Sequence, residues 1–305
     1  MEKKLSGKPI ALAINKVSRE LIALHNLSPR MLLIQVGEDP ASSYYVQSII
    51  TNAAKLGCVA DLLALSSESS EADLLSVINA ANSDEIIHGI MIQKPLPRTF
   101  NDKAINLAVS PDKDLDALNP LNLGKIMMES EGFVPCTPAA VYYTMKYYGI
   151  KAEGKNLVIL GRSNVVGKPL ANMMLWKKMN ATVTVCHSKT AKLKEICRNA
   201  DILVSAIGIA NFVQEDMVKE NAILLDVGIN EVKAEDGSST YVGDMDYNAL
   251  YDKSLAITPV PGGIGRITTS LLYLNLVKAA MLSQGINKSV DEYIDIIFSE
   301  NHKKL

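Results

Sequence analysis

Alternation of buried-strand and helical patterns constrains this 305-residue chain more than any other feature. The run Met31-Leu32-Leu33-Ile34-Gln35-Val36 is almost continuously apolar and closes at Gly37. A strand without a polar face is covered on both sides, which is the condition of a parallel sheet packed between helices. Helical spacing over 10–24 precedes this run, and helical spacing over 42–56, ended by Gly57, follows it. A second strand is predicted over 60–65, a helix over 70–82, and a third strand over 86–92 that stops before Pro95 and Pro97. The rhythm resumes with a helix over 139–148 and strands over 156–160, 182–186, 202–205 and 223–227. Helices over 267–282 and 290–298 end the chain. This order predicts two α/β domains, the second a doubly wound parallel sheet of the Rossmann type.

Residues 110–138 interrupt the pattern with Pro111, Pro120, Pro135 and Pro138 among Asp112, Asp114 and Asp116. They predict a loop-rich connector with a functional role and no packed element. The domain boundary is placed at Gly149. Residues 1–148 form the first domain, completed by the helices over about 270–305, and residues 149–269 form the second.

Bulk properties exclude several classes. Thirty-one basic and 33 acidic side chains leave a net charge of −2, which offers no electrostatic reason to bind nucleic acid or an anionic membrane. The first residues hold no apolar leader, and the apolar stretch over 270–282 is broken by Asn275 and Lys278 and is too short to span a bilayer. Cys58, Cys136, Cys186 and Cys197 are scattered without metal-ligand spacing. They read as free thiols of a cytoplasmic protein, and no metal is expected.

The segment Leu160-Gly161-Arg162-Ser163-Asn164-Val165-Val166-Gly167 follows a strand and opens a helix. Its glycines allow a tight turn and a close approach to phosphate, and the helix start offers free N–H groups. The glycines are six apart, longer than the usual dinucleotide fingerprint, so on spacing alone an ordinary strand–turn–helix fits this segment better. The next strand favours the dinucleotide. An NAD enzyme places an acidic side chain at that strand's end for the ribose hydroxyl. Here the strand ends in Cys186-His187-Ser188-Lys189-Thr190, with no carboxylate. Ser188 with Arg162 or Lys189 suits a 2′-phosphate, which argues for NADP over NAD. His187 reads as a strand-end histidine. Asp226-Val227-Gly228-Ile229-Asn230 ends a further strand, where Ile229 is positioned either as a nicotinamide contact or as part of a plain turn.

Together the motifs resemble the methylenetetrahydrofolate dehydrogenase/cyclohydrolase family. The matching segments are Val36-Gly37-Glu38-Asp39-Pro40-Ala41-Ser42, Gln93-Lys94-Pro95-Leu96-Pro97, Ser110-Pro111-Asp112-Lys113-Asp114-Leu115-Asp116, Pro135-Cys136-Thr137-Pro138, Gly161-Arg162-Ser163, Cys186-His187-Ser188, Asp226-Val227-Gly228-Ile229-Asn230 and Thr258-Pro259-Val260-Pro261-Gly262-Gly263-Ile264-Gly265. The resemblance implies folate in a cleft between two domains, a homodimer, and oxidation of 5,10-methylene-tetrahydrofolate to the methenyl form. In most members hydration to 10-formyl-tetrahydrofolate follows. It implies catalytic roles for Tyr45, Gln93 and Asp116, with Tyr45 against the ring system and Asp116 on the pterin. It implies substrate contacts at Pro261, Gly262 and Gly263, and NADP contacts at Gly161, Arg162, Ser163, Val165, Ser188 and Ile229.

Four positions depart from the family pattern. The family lysine four residues after the tyrosine is Ile49 here, which cannot carry a proton. A positioned acid or base contributes about 10²–10⁴-fold, so hydration is expected to be weak or absent while hydride transfer persists. Lys94 stands where the family has leucine and is a rival proton carrier. Arg266 stands where the family has proline, and Ala140 replaces a glycine. A fully bifunctional enzyme and a non-catalytic folate- or nucleotide-binding protein are the alternative readings. A shikimate-type dehydrogenase rests on architecture alone.

Overall fold

The computed structural model describes residues 2–37, 40–233 and 239–302, without the side chains of 40–45, 301 and 302. The chain forms two compact bodies. The first comprises residues 13–125, 131–134 and 269–305, and the second comprises 1–12, 126–130 and 135–268.

Helix α1 (Gly7–His25) leads into β1 (Arg30–Val36), α2 (Pro40–Lys55), β2 (Val59–Leu65), α3 (Glu71–Ser83), β3 (Gly89–Ile92), α4 (Asp102–Ala108) and α5 (Pro120–Met127). The sheet of the first body is parallel in the order β2-β1-β3, with Leu33 opposite both Leu62 and Met91. Residues 113–115 extend it beside β3. Ile90 N donates to Lys113 O at 2.7 Å, and Leu115 N donates to Ile90 O at 3.4 Å. Gly89 makes room for this segment, since a Cβ there would lie 2.5 Å from a Leu115 methyl carbon. Ile34, Leu74, Ile78, Ile90 and Ile105 pack one core beneath the sheet.

Two expectations are corrected here. The third strand begins at Gly89, not at 86, because the Asp84 carboxylate accepts from Ile86 N at 2.9 Å and holds a turn. The stretch over 110–138 is no bare connector. It holds α5, and Asp114, Asn119 and Asn122 are buried within it. Asp114 Oδ2 accepts from Asn119 N at 2.7 Å and from Asn122 Nδ2 at 3.0 Å, so the buried carboxylate is paired from within the segment.

The second body holds α6 (Cys136–Tyr147), β4 (Asn156–Leu160), α7 (Gly167–Leu175), β5 (Thr182–Cys186), α8 (Leu193–Arg198), β6 (Ile202–Ser205), β7 (Ile223–Asp226), β8 (Asn230–Lys233), β9 (Ser239–Val242), α9 (Tyr247–Tyr251) and β10 (Ala256–Ile257). Its main sheet is parallel in the order β10-β7-β6-β4-β5. From β4 the chain moves outward to β5 and then returns to β6 on the other side. This reversal is the doubly wound arrangement, and it opens a crevice at the carboxyl ends of β4 and β6. The N-terminal residues join the β10 edge, with Leu5 N donating to Ile257 O at 2.9 Å. The hairpin β8–β9 is solvated on both faces, and its lack of an apolar face left it out of the sequence reading.

Helices α10 (Thr268–Ser283) and α11 (Val290–His302) close the chain. Leu271, Leu272, Tyr273, Leu274, Leu276 and Val277 are all buried, so α10 has no solvent stripe along this stretch and belongs to the core. Among the described residues no helix is long and apolar enough to cross a membrane.

Candidate active site

The loop between β4 and α7 is built around two backbone contacts that exclude any side chain. Gly161 has φ +115°, and a Cβ on it would lie 2.4 Å from Ala206 O. A Cβ on Gly167 would lie 2.1 Å from Gly161 O. Only glycine fits where the chain folds back on itself this closely. Ser163 Oγ accepts from Val166 N at 3.0 Å and Ser163 O accepts from Lys168 N at 3.0 Å, which shapes the turn into α7. Arg162, Ser163, Asn164 and Val165 are left exposed.

Gly161 N donates to Cys186 O at 2.9 Å, so this loop and the end of β5 are tied together. There His187 N donates to Thr190 Oγ1 at 2.9 Å, and His187 Nδ1 accepts from Lys189 N at 3.1 Å. His187 is thus a turn-forming residue, in line with its strand-end reading. Ser188 and Lys189 are exposed, and residues 186–190 include no acidic side chain. A backbone cradle that a Cβ would fill, flanked by Arg162, Ser188 and Lys189, fits a phosphate-bearing dinucleotide. At the end of β7, Ile229 is exposed.

Sequence reasoning missed what lies beneath this edge. Asp226 and Asp244 are both buried. Asp226 accepts from Gly228 N, Asp244 N and Met245 N at 3.0, 3.1 and 2.8 Å. Burial pushes its carboxyl up to about 7 against the pull of these amides. The pairs Gly228 with Asp226 and Gly243 with Asp244 were the available signal.

The loop Pro261-Gly262-Gly263 is held by the start of α1. Gly7 N donates to Gly262 O at 2.9 Å, and a Cβ on Gly7 would lie 2.1 Å from Gly263 O. Arg266 is exposed in the turn that follows, and Ala140 is buried inside α6.

In the first body the candidate residues gather at the carboxyl edge of β3. Gln93 N continues the sheet by donating to Ile34 O at 2.8 Å, and Gln93 Nε2 donates to Lys94 O at 2.9 Å. Lys94 Nζ meets Asp102 Oδ1 at 2.8 Å. Asp116 lies two residues past the bridge between Ile90 and Asp114. Burial pushes the Asp116 carboxyl up to about 7, the negative charge of Asp114 raises it further, and Lys94 opposes both. Asp116 is therefore poised to change charge near neutrality.

Ile49 is fully buried, and with Val46 and Ala53 it forms the inward face of α2. The Tyr45 side chain lies outside the described residues. Its partners in the sequence reading, Gln93 and Asp116, belong to this first body, whereas the nucleotide residues and Pro261, Gly262 and Gly263 belong to the second.

Comparison with known proteins also divides the chain in two, with different bounds. Residues 5–116 match the catalytic domain of tetrahydrofolate dehydrogenase/cyclohydrolase, and residues 135–284 match its NAD(P)-binding domain. The bifunctional protein FolD of Chlamydia felis is 42% identical over 275 residues, covering 89% of this chain and 96% of that protein. The crystal structure of the bifunctional FolD methylenetetrahydrofolate dehydrogenase/cyclohydrolase from Campylobacter jejuni superposes with a TM-score of 0.86 at 38% identity, over 91% of this chain and 98% of its own. The Trypanosoma brucei methylenetetrahydrofolate dehydrogenase-cyclohydrolase, solved with NADP and an inhibitor, gives 0.85 at 31% identity over 94% and 100%.

Proposed function

The chain belongs to the tetrahydrofolate dehydrogenase/cyclohydrolase family, and from that premise we propose that it oxidises 5,10-methylene-tetrahydrofolate with NADP while hydrating the methenyl product weakly or not at all. The observation that carries this division of labour is Ile49, a fully buried aliphatic side chain on α2 where the family pattern has its lysine.

The two half-reactions make different demands. NADP, when held by the second body, would supply the acceptor for the hydride of the methylene carbon. The cation left behind is stabilised by the lone pairs of the two flanking nitrogens, so no strong acid or base is required. The chain's task is to hold the pterin and the nicotinamide in contact and to keep water out. Asp116 accepts the paired N–H donors of the amino-pyrimidinone edge. Tyr45 lies against the ring system, Gln93 is kept although the lysine it would tune is absent, and Pro261, Gly262 and Gly263 stay with the substrate in this reading. Gly161, Arg162, Ser163, Val165, Ser188 and Ile229 hold the dinucleotide.

Hydration differs because the attacking water must lose a proton and a ring nitrogen must gain one. Ile49 has no atom for either transfer. A second reading is favoured by one observation. Lys94 is the cation that acts on Asp116, and its ammonium could serve the relay in a bifunctional enzyme such as the relatives are named. Its ion pair with Asp102 restrains it from that role.

The resemblance further supports a homodimer, a cytoplasmic location, and a division in which residues 1–148 with the C-terminal helices bind folate and residues 149–269 bind NADP. Light scattering of the purified chain tests the dimer. The activity is tested by mixing the protein with methylene-tetrahydrofolate and NADP. Growth of methenyl absorbance that needs both reactants supports the proposal, and no growth at saturating NADP overturns it.

A further inference from the structure

The buried carboxylate of Asp244 holds together two loops at the nucleotide edge. It lies between β9 and α9 and is fully shielded from solvent. Its Oδ2 accepts from Ser205 Oγ, Ile207 N and Gly208 N at 3.0, 2.7 and 3.3 Å. Its Oδ1 accepts from Ile209 N and Asn230 Nδ2, each at 3.0 Å. All five donors are uncharged, and they fill the lone pairs that a carboxylate offers.

The carboxylate is itself fixed from behind. Asp226 binds the Asp244 and Met245 amides, and the two acids are interlocked through glycines. A Cβ on Gly228 would lie 2.0 Å from Asp244 Oδ1, and one on Gly243 would lie 1.9 Å from Asp226 Oδ2. A larger residue at either glycine would force the acids out of register.

This arrangement turns three successive amides, 207 to 209, inward to one anion. The outer side of that loop then carries Ile209, which is 52% exposed, and the neighbouring strand end carries Ile229, which is 64% exposed. Strands β6 and β7 are adjacent and parallel, so both isoleucines stand at the carboxyl edge where α/β sheets bind ligands. Asp244 grips one through its own N–H and the other through the side chain of the next residue.

We propose that Asp244 is a positioning residue for the dinucleotide, fixing Ile209 and Ile229 as two apolar contacts for its nicotinamide half, and that Ile209 is therefore a binding residue. This rests on the reading that the edge holds NADP. An isoleucine pair held by one rigid anion presents a fixed apolar surface to a flat ring without ordering cost on binding.

The test uses the full-length protein and NADPH, with binding read by its fluorescence. Asn230→Ala cuts only the tie to the Ile229 segment and leaves four donors on Asp244. It should weaken NADPH and raise the NADP KM about tenfold, the loss of one hydrogen bond to a charged acceptor. The folate KM should stay within error, and the melting temperature should fall only by the modest amount that one lost hydrogen bond costs, with the fold intact. Ile209→Ala should act in the same direction. Asp244→Asn should weaken binding further, and if it fails to fold the other two variants carry the test. Unchanged NADPH binding in both Asn230→Ala and Ile209→Ala would overturn the proposal. Absence of NADPH binding by the unmodified protein would instead overturn the assignment of the edge to NADP.

Discussion

The Tyr273 hydroxyl donates to the backbone oxygen of Ile49 at 2.8 Å, and both residues are buried. A tyrosine of α10 thereby fixes the turn of α2 that carries position 49. Removing this hydroxyl with Tyr273→Phe should destabilise the protein by about 1 kcal/mol, since one buried hydrogen bond is lost and the ring packing is kept. Chemical denaturation measures the change. Replacing Ile49 with Lys puts a proton carrier on the same turn. Methenyl hydration by Ile49→Lys should rise by at least about 10²-fold over the unmodified chain. Its melting temperature should fall, because the aliphatic packing of α2 is lost and an ammonium must find solvent. A variant that folds and gains no hydration would disconnect position 49 from that step.

Asp116 gives the enzyme a pH signature with two opposed handles. Its carboxyl sits near 7, raised by burial and by Asp114 and held down by Lys94. In its proposed role Asp116 captures the pterin in the charged form, so the folate KM should fall as pH rises from about 6 to 8. Asp114→Asn removes a like charge and should move the midpoint to lower pH. Lys94→Ala removes the opposing cation and should move it higher. Kinetic titration of both variants checks the signs, and shifts in the same direction would show that the charges do not act as described. Stability follows the linkage in the other direction. The folded pKa lies above the unfolded value of 3.8, so the native state keeps a proton that the unfolded chain releases. The contribution of this group is complete below about pH 4 and is lost as pH rises to about 7. Asp116→Asn should flatten that slope in urea titrations.

Two glycine substitutions should have opposite outcomes. Gly124 is exposed inside α5 with nothing within 4 Å of a new Cβ. Gly124→Ala should stabilise the protein by about 0.5–1 kcal/mol through helix propensity. Gly167→Ala would drive its Cβ to 2.1 Å from Gly161 O. It should cost about 1–3 kcal/mol and abolish NADP binding, because the crossing of the loop has to open. Thermal melts with and without NADPH distinguish the two cases.

The contrast between these glycines shows what the sequence could reveal. Gly161 and Gly167 were legible as a candidate loop because they follow an apolar strand. Gly124 was not, because Pro120 next to it reads as a loop residue. In the structure Pro120 takes the first position of α5, where its missing N–H is not needed. The strands over 31–36 and 156–160 were legible because both of their faces are apolar. The hairpin β8–β9 was not, because neither face is. Asp116 and Gln93 stood out only through the family pattern. Asp244 stayed hidden because burial of a carboxylate is decided by donors that come from residues 205–209 and 230, distant in the chain.

In the proposed site, cofactor preference rests on the carboxylate-free end of β5. Ser188→Asp places a carboxylate where a 2′-phosphate is to be held, beside Arg162 and Lys189. The ratio of kcat/KM for NADP over NAD should fall by about tenfold or more, the effect of one added like charge at a solvated site. Steady-state kinetics with both dinucleotides measures it. An unchanged ratio would move the phosphate site elsewhere.

The central claim is that oxidation survives where hydration does not, and a single absorbance trace from the unmodified protein tests it. After methylene-tetrahydrofolate and NADP are mixed with enzyme, methenyl absorbance should rise and then persist, decaying no faster than in an enzyme-free control of the same composition. Decay at a rate comparable to the rise would show an intact hydration step and contradict the assignment of that deficit to Ile49.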